Sequence, residues 1–458
     1  MTERTCLSIV LAAGEGTRMR SSRPKVLHEV AGLSMVGHVL KAVAAAGGTA
    51  AAVVVGPDRA DVAAEAQRLA PGATTHVQTE RLGTAHAVLH AQEAIARGFD
   101  DVIVAFGDTP LVTPETFARL RAALAGGAAV AVLGFEAANP FGYGRLVMED
   151  GAAAAIVEEK EASEAQRAIT LCNGGLMALA GATALPILKR IGKANAKGEY
   201  YLTDAVAIAR ADGLATAVVL APEEEVRGVN DRVQLAEVEA IAQARLRTAA
   251  MRGGVTMVAP ETVFLAHDTV FGRDVTLEPH VVFGPGVSVA DDVTIRAYSH
   301  LAGCRVEAGA IIGPFARIRP KSRIGEQVHI GNFVEVNRTI IAARAEANHL
   351  AYLGDATIGE GTNIGAGTIT CNFDGADKNP TVIGRDVFVG SNSTLVAPLT
   401  IGDEVLIAAG STITLDVKEG ALTFGRAKQA GLPGRGAEMI RANKERRAAR
   451  KAREQGKA

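Results

Sequence analysis

Three short clusters hold residue types able to do chemistry. The first is Leu11-Ala12-Ala13-Gly14-Glu15-Gly16-Thr17-Arg18-Met19, followed by Pro24-Lys25. It closes an apolar, strand-like run, Cys6–Ala12. Glycines directly after a first strand let backbone N–H groups approach a phosphate, and Arg18 and Lys25 add positive charge for a polyphosphate. The run matches neither the P-loop nor the full G-x-G-x-x-G pattern, so a plain strand–loop–helix turn reads it equally well. The second cluster is Phe106-Gly107-Asp108, at the end of the apolar run Val102–Phe106. Open α/β sheets bind ligands outside the carboxyl ends of their strands. A carboxylate there suits Mg²⁺, which takes hard oxygen ligands and shares itself with substrate phosphates; a helix-capping Asp is the alternative. The third cluster is Asn348-His349-Leu350-Ala351-Tyr352-Leu353-Gly354-Asp355. Imidazole, with a pKa near ~6.5, suits a proton acceptor. A lone His is more often structural, but His349 falls where a six-residue repeat is interrupted.

The elements that must position these clusters are of two kinds. Over residues 5–230, strand-like segments (Cys6–Ala12, Ala51–Val55, Val102–Phe106, Ala129–Leu133, Thr216–Leu220) alternate with amphipathic ones (Thr84–Ala96, Thr113–Leu124). Thr113 is a candidate N-cap with Pro114 at the first helical position. Such alternation predicts a Rossmann-like α/β domain over 1–230 with a largely parallel sheet. Asp231–Arg252 reads as one long helix ending at Gly253-Gly254, a linker over 231–254.

Beyond Gly254 the period becomes six. Val275, Val281, Val287, Val293 and Ser299 are each followed two positions later by an apolar residue: Leu277, Phe283, Val289, Ile295 and Leu301. The same register recurs from Ala310, returns at Ala356, Thr362 and Thr368 with Ile358 and Ile364, and runs again from Thr381 to Ile413. Each unit is a short strand and a corner, and three units make a coil. The repeat predicts a parallel β-helix within residues 255–458. Two stretches, Asn337–Asp355 and Cys371–Pro380, break the pattern and are expected to be surface loops, which on solenoids are often functional.

Composition narrows the class. With 458 residues, two or more domains are expected. A net charge of −2 argues against whole-protein binding to nucleic acid or an acidic membrane. Cys6, Cys172, Cys304 and Cys371 lack metal-type spacing and read as free thiols in a reducing compartment. No apolar run is long enough to span a bilayer, and the N-terminus runs straight into a strand. A cytoplasmic protein is expected. The basic, Ala-rich tail, Arg441–Ala458, reads as a solvated helix or disordered segment; the alternative places it near coenzyme phosphates.

The Leu-Ala-Ala-Gly-Glu-Gly-Thr-Arg-Met…Pro-Lys run resembles the signature of sugar-nucleotide pyrophosphorylases. With the β-helix behind it, the chain from about residue 5 to 430 resembles the family of bifunctional N-acetylglucosamine-1-phosphate uridyltransferases / glucosamine-1-phosphate N-acetyltransferases. That resemblance implies a left-handed β-helix and two activities. Acetyl-CoA acetylates glucosamine-1-phosphate. UTP then transfers a uridylyl group to N-acetylglucosamine-1-phosphate, releasing pyrophosphate. It implies nucleotide contacts at Leu11, Ala12, Ala13, Gly14, Gln78, Gly83, Thr84, Phe106 and Gly107, with Arg18 and Lys25 on the phosphates. Gly144, Glu158 and Asn173 would meet the sugar. Asp108 and Asn230 would hold Mg²⁺, a pairing that spacing does not suggest.

In the second domain the resemblance makes His349 the proton acceptor. It puts Arg319, Asn337, Tyr352 and Asn363 on the amino-sugar phosphate. It puts Ala366, Asn372, Phe373, Ser391, Ala409 and Arg426 on acetyl-CoA. It also implies a homotrimer with acetyl sites between subunits and small-molecule substrates only. Four departures from the family pattern are visible. Phe106 replaces a Tyr, Gly174 a Thr and Phe373 a Tyr. Asn337 stands where a Lys is usual, offering a neutral donor instead of an ammonium. Two other functions remain: a monofunctional nucleotidyltransferase with a structural β-helix, and a non-enzymatic scaffold.

Overall fold

The computed structural model describes residues 4–455, with side chains to residue 452, so the end of the basic tail (456–458) lies outside the described residues. The chain divides into two compact units, one ending at Cys304 and the other starting at Arg305.

The first unit is built on a mixed sheet. Its strand order is Thr216–Leu220, Val130–Glu136, Leu171–Ala180, Asp101–Phe106, Cys6–Ala12, Ala50–Val55 and Thr74–Val77. Every pairing on this path is parallel except those of Leu171–Ala180, which runs antiparallel between Val130–Glu136 and Asp101–Phe106. The alternation predicted a largely parallel sheet, but it did not reveal this strand. Its sequence, Leu-Cys-Asn-Gly-Gly-Leu-Met-Ala-Leu-Ala, carries two glycines that hide its pattern, and the register shifts there between Asn173 and Met177. Apolar side chains form a core on each face. Val10, Val53, Ile103 and Phe117 belong to one; Ile9, Val54, Val104 and Leu188 belong to the other.

Caps fix the helices. Thr113 accepts from the Thr116 amide and Pro114 opens Pro114–Ala125, as predicted. Asp231 accepts from the amides of Val233 and Gln234 to start Arg232–Arg252. The segment predicted as one helix over Thr84–Ala96 is instead two, Thr84–Leu89 and Gln92–Ile95. The amides of His90 and Ala91 bond three residues back, to Ala87 and Val88, so the turn tightens and the helix restarts.

Short parallel strands of the six-residue kind occur in both units. Within the second they form three faces, left-handed as expected. The inward positions Val328, Val334, Thr339, Ala345, Ala351, Ala356, Thr362 and Thr368 are all buried. The steps Val334→Thr339 and Ala351→Ala356 are five residues, not six. Successive coils are therefore 18 residues apart at Arg317↔Glu335 but 17 at Glu335↔Tyr352 and Tyr352↔Ile369.

This corrects the expectation for Asn337–Asp355. The stretch is no inserted loop: it supplies strands Ile340–Ile341, Glu346–His349 and Tyr352–Gly354, and two repeats simply lack one residue. Thr339 closes one tight corner, its hydroxyl bonding the carbonyls of Asn337 (3.1 Å) and Leu353 (3.0 Å). Cys371–Pro380 does contain an insertion, since Ile369 pairs with Thr394, 25 residues on. The last helix, Arg435–Gln455, is exposed through residue 452.

Ile330 is wholly buried in this stack. Ile330→Ala is expected to destabilise the second unit by about 2–5 kcal/mol, read as a lower midpoint of its urea transition.

Candidate active sites

In the first unit, a cleft of about 430 Å³ opens at the carboxyl ends of the strands. Leu11, Ala13, Gly14, Lys25, Gln78, Gly83, Thr84, Phe106, Asp108, Glu158 and Asn173 all line it. Most of these groups lie at the ends of the parallel strands Cys6–Ala12, Thr74–Val77 and Asp101–Phe106 or in the connections after them, as the strand-end rule requires, while Glu158 follows strand Ala152–Val157 and Asn173 belongs to the antiparallel Leu171–Ala180. Gly16 has φ +63°, and a Cβ there would stand 2.5 Å from Cβ of Lys25, so only glycine lets that side chain pass under the loop.

Lys25 is buried, and its ammonium bonds the Asp108 carboxylate and, at 3.3 Å, Oδ1 of Asn230. Arg18 reaches the same Oδ1 at 3.0 Å. Asn230 is delivered by the backbone: the Val229 amide donates to the Asp108 carbonyl at 3.0 Å, and the Asn230 amide is held by Gln234 at 2.7 Å. Two hard oxygens thus converge on a cation, a donor set that fits Mg²⁺ completed by water and phosphate oxygens.

Arg18 and Asn230 line an adjoining cavity of about 680 Å³ that shares Asn173 and Gly175 with the first. Burial pushes the Glu158 carboxyl up from its ordinary value, against the pull of Lys197. Ala12, Gly107 and Gly144 line neither cavity. Ala12 is buried in its strand; the Gly107 amide bonds the Leu11 carbonyl; the Gly144 carbonyl bonds the Asn173 amide. Arg81, Met177, Lys197, Glu199, Tyr201 and Thr203 line the cleft without having been singled out in the sequence. The polar density of Lys197-Gly-Glu-Tyr-Tyr-Leu-Thr203 was the available signal.

In the second unit, the predicted residues follow one corner and one adjoining face. Along the corner, amide-to-carbonyl bonds run Leu350→Asn332, Gly367→Leu350, Asn392→Ala366 and Gly410→Ser391, and Arg426 bonds the Ala409 carbonyl at 2.6 Å. His349, Ala366, Ser391, Ala409 and Arg426 therefore lie on successive coils of one column. His349 is exposed, and its Nδ1 lies 2.9 Å from Oδ1 of Asn332. An amide oxygen there calls for N–H at Nδ1, leaving the lone pair on Nε2 facing outward.

On the face beside it, Glu335–Asn337 pairs with Tyr352–Gly354, and Arg319 pairs with Glu335 at 2.9 Å. Asn363 contacts Glu346 at 3.3 Å. Asn337 is buried, 3.5 Å from the Tyr352 hydroxyl and 3.4 Å from Nη1 of Arg338. Arg338 grips Asp355 bidentately at 2.6 and 2.7 Å, and Asn372 also bonds Asp355. Phe373 is exposed, with the Lys378 ammonium 4.0 Å from its ring centroid.

Residues 8–170 match the model of the MobA-like NTP transferase domain, and residues 303–338 and 380–414 match bacterial transferase hexapeptide repeats. The first five-residue repeat, 334–338, ends the first hexapeptide match, and the gap between the matches holds the second and most of the insertion. The chain is similar along its length to proteins described as "Bifunctional protein GlmU". It is 59% identical to that of Azorhizobium caulinodans over 94% of this chain and 96% of the relative. The Xanthobacter autotrophicus protein is 59% identical with the same coverage, and that of Agrobacterium fabrum 53%.

The hydrogen bonds from Arg338 hold the Asp355 carboxyl below its ordinary value, against burial and with help from Asn372. A depressed folded pKa means stability that is present above the unfolded pKa and is lost as pH falls through the folded one. Asp355→Asn is therefore expected to cost about 1–3 kcal/mol at neutral pH, with the gap to the parent closing in acid. Denaturant midpoints at both pH values measure this.

Proposed function

The chain belongs to the family of bifunctional GlmU proteins, and from that premise we propose how two sites divide the work. The protein is an enzyme of UDP-N-acetylglucosamine synthesis, feeding cell-wall formation. It N-acetylates glucosamine-1-phosphate from acetyl-CoA and transfers a uridylyl group from UTP to N-acetylglucosamine-1-phosphate. Its β-helix is catalytic rather than only structural. In our reading residues 1–230 are the uridyltransferase domain, 231–254 a linker helix and 255–458 the acetyltransferase domain.

The uridylyl site is the cleft over Gly14, Lys25 and Asp108. The observation that supports it most is the meeting of Lys25, Asp108 and Asn230. UTP would lie along Leu11–Gly14, with Gln78, Gly83 and Thr84 at its base and Phe106 and Gly107 at the strand end. Gly144, Glu158 and Asn173 would take the sugar. The attacking phosphate is largely dianionic at neutral pH, with a second pKa near ~6, so it needs no protein base. The residues have to align it in line and neutralise charge. Arg18 and Lys25 do this, each now satisfied by Asn230 or Asp108 and free to exchange those partners for phosphate oxygens. Asp108 and Asn230 would hold Mg²⁺, which supplies further neutralisation on the phosphates.

In the acetyl site, His349 accepts the proton of the sugar amine through Nε2 while Asn332 orients the ring. Arg319, Asn337, Tyr352 and Asn363 hold the sugar phosphate. The column Ala366, Ser391, Ala409 and Arg426, with Asn372 and Phe373, takes acetyl-CoA. We further propose a homotrimer in the cytoplasm. The β-helix supports oligomerisation, and no helix among the described residues is long and apolar enough to cross a membrane.

His349→Ala should lower acetyl transfer by roughly 10²–10⁴-fold and leave uridylyl transfer unchanged; loss of both activities would undo the partition. Asn337→Lys should lower the KM for glucosamine-1-phosphate about fivefold, the ~1 kcal/mol between a neutral and a charge-assisted hydrogen bond. An unchanged KM would mean that Arg338, despite its pairing with Asp355, already supplies the charge.

A further inference from the structure

Behind the cleft, the Gln78 carboxamide does not stand alone. Gln78 is buried, and its Nε2 lies 3.4 Å from Nδ1 of His86. His86 lines a separate small cavity on the far side, so it can act on a ligand in the cleft only through Gln78. Its ring is held from two sides. Tyr200 stacks on it, with centroids 6.0 Å apart and planes at 19°, and His90 meets it edge-on at 4.7 Å. The backbone fixes the frame, since the Ala85 amide bonds the Tyr200 carbonyl at 3.0 Å and the Tyr200 amide bonds that of Leu82 at 2.7 Å. Gly83 sits within this clamp at φ +116°, where a Cβ would strike the Tyr200 carbonyl oxygen at 2.5 Å. His90 keeps its buried Nε2 without a hydrogen-bond partner, and burial above all lowers its pKa.

We propose that His86, with its proton on Nε2, is a positioning residue that sets which way the Gln78 carboxamide faces and so makes the site choose uracil over cytosine nucleotides. This rests on the reading of Gln78 as a base contact. A carboxamide presents oxygen and nitrogen on nearly identical shapes, and a half-turn exchanges them. In that tautomer the Nδ1 lone pair accepts only from the amide nitrogen, at 3.4 Å, which excludes one of the two orientations. What remains for the base is one acceptor and one donor in fixed order. Uracil offers an acceptor at position 4 and a donor at position 3; cytosine offers the reverse. A fixed amide therefore matches one base and sets donor against donor and acceptor against acceptor on the other. A freely turning amide serves both.

The test compares two variants in the full-length protein, with pyrophosphate release measured from UTP and from CTP. His86→Phe keeps the ring stack and removes the acceptor; His86→Asp removes the stack and keeps a group near the Nδ1 position that accepts and does not donate. The UTP-over-CTP ratio of kcat/KM should fall about tenfold, one lost oriented hydrogen bond, in His86→Phe. That loss should come from KM, with kcat and acetyl transfer near parental values. His86→Asp should keep the ratio. A retained ratio in His86→Phe, or equal loss in both, overturns the proposal in favour of simple packing. Gln78→Ala separates the two levels. If it leaves the ratio intact, the base-contact reading itself falls. If it lowers the ratio while His86→Phe does not, only the role of His86 falls.

Discussion

A buried ammonium organises the uridylyl cleft. Lys25 Nζ sits under the glycine loop with little water, and an isolated charge there would cost several kcal/mol. It is tolerated because Asp108 comes from the end of one strand and Asn230 from the approach to the long helix. Each feature around it follows from that need. Gly16 clears the path of the side chain, the Val229–Asp108 backbone bond draws the distant segment in, and Asp231 starts the helix directly after Asn230. The arrangement is also poised for its ligand. Cations already paired within a site exchange partners with an incoming polyphosphate, which avoids bringing bare charge into a dry cleft.

The β-helix meets a different constraint. Its interior is too narrow for polar catalytic groups, so inward positions are Val, Ala, Thr or Ser, and chemistry is confined to outer faces and corners. A column of corners suits a long, thin ligand, because successive coils repeat the same backbone groups at a fixed rise. Ala366, Ser391, Ala409 and Arg426 are spaced in this way. His349 stands on the same column, so in the proposed acetyl site a group carried along it would arrive at the imidazole.

The sequence made much of this legible. The glycine loop, the strand-end Asp108 and the capped helices are local signals, and they fold as read. Asn230 is not local: its link to Asp108 spans more than a hundred residues and depends on a backbone bond that no spacing announces. Arg81, Lys197 and Tyr201 were missed for the same reason. The antiparallel strand Leu171–Ala180 escaped because its glycines carry no pattern. The reading of Asn337–Asp355 as a loop failed because a search at a fixed period of six cannot tell a deletion from an insertion. Thr339 continues the inward row one residue early, and the small side chains of Thr339, Ala345 and Ala351 gave no contrast to link Val334 with the register resumed at Ala356.

That error bears on the chemistry. A five-residue repeat turns its corner sooner, so the side chains on either side of it approach one another. At the two shortened corners stand Asn337-Arg338 and Gly354-Asp355, and they meet: Arg338 grips Asp355, and Asn372 joins them. A lysine at 337 would bring a second cation next to Arg338 in the chain, with Asp355 as the carboxylate that Arg338 already holds. Asn337 removes that repulsion and accepts from Arg338 instead. At this corner Asn337 bonds Arg338 without adding charge, and in the proposed acetyl site it presents a neutral donor to the substrate phosphate where the family pattern has an ammonium.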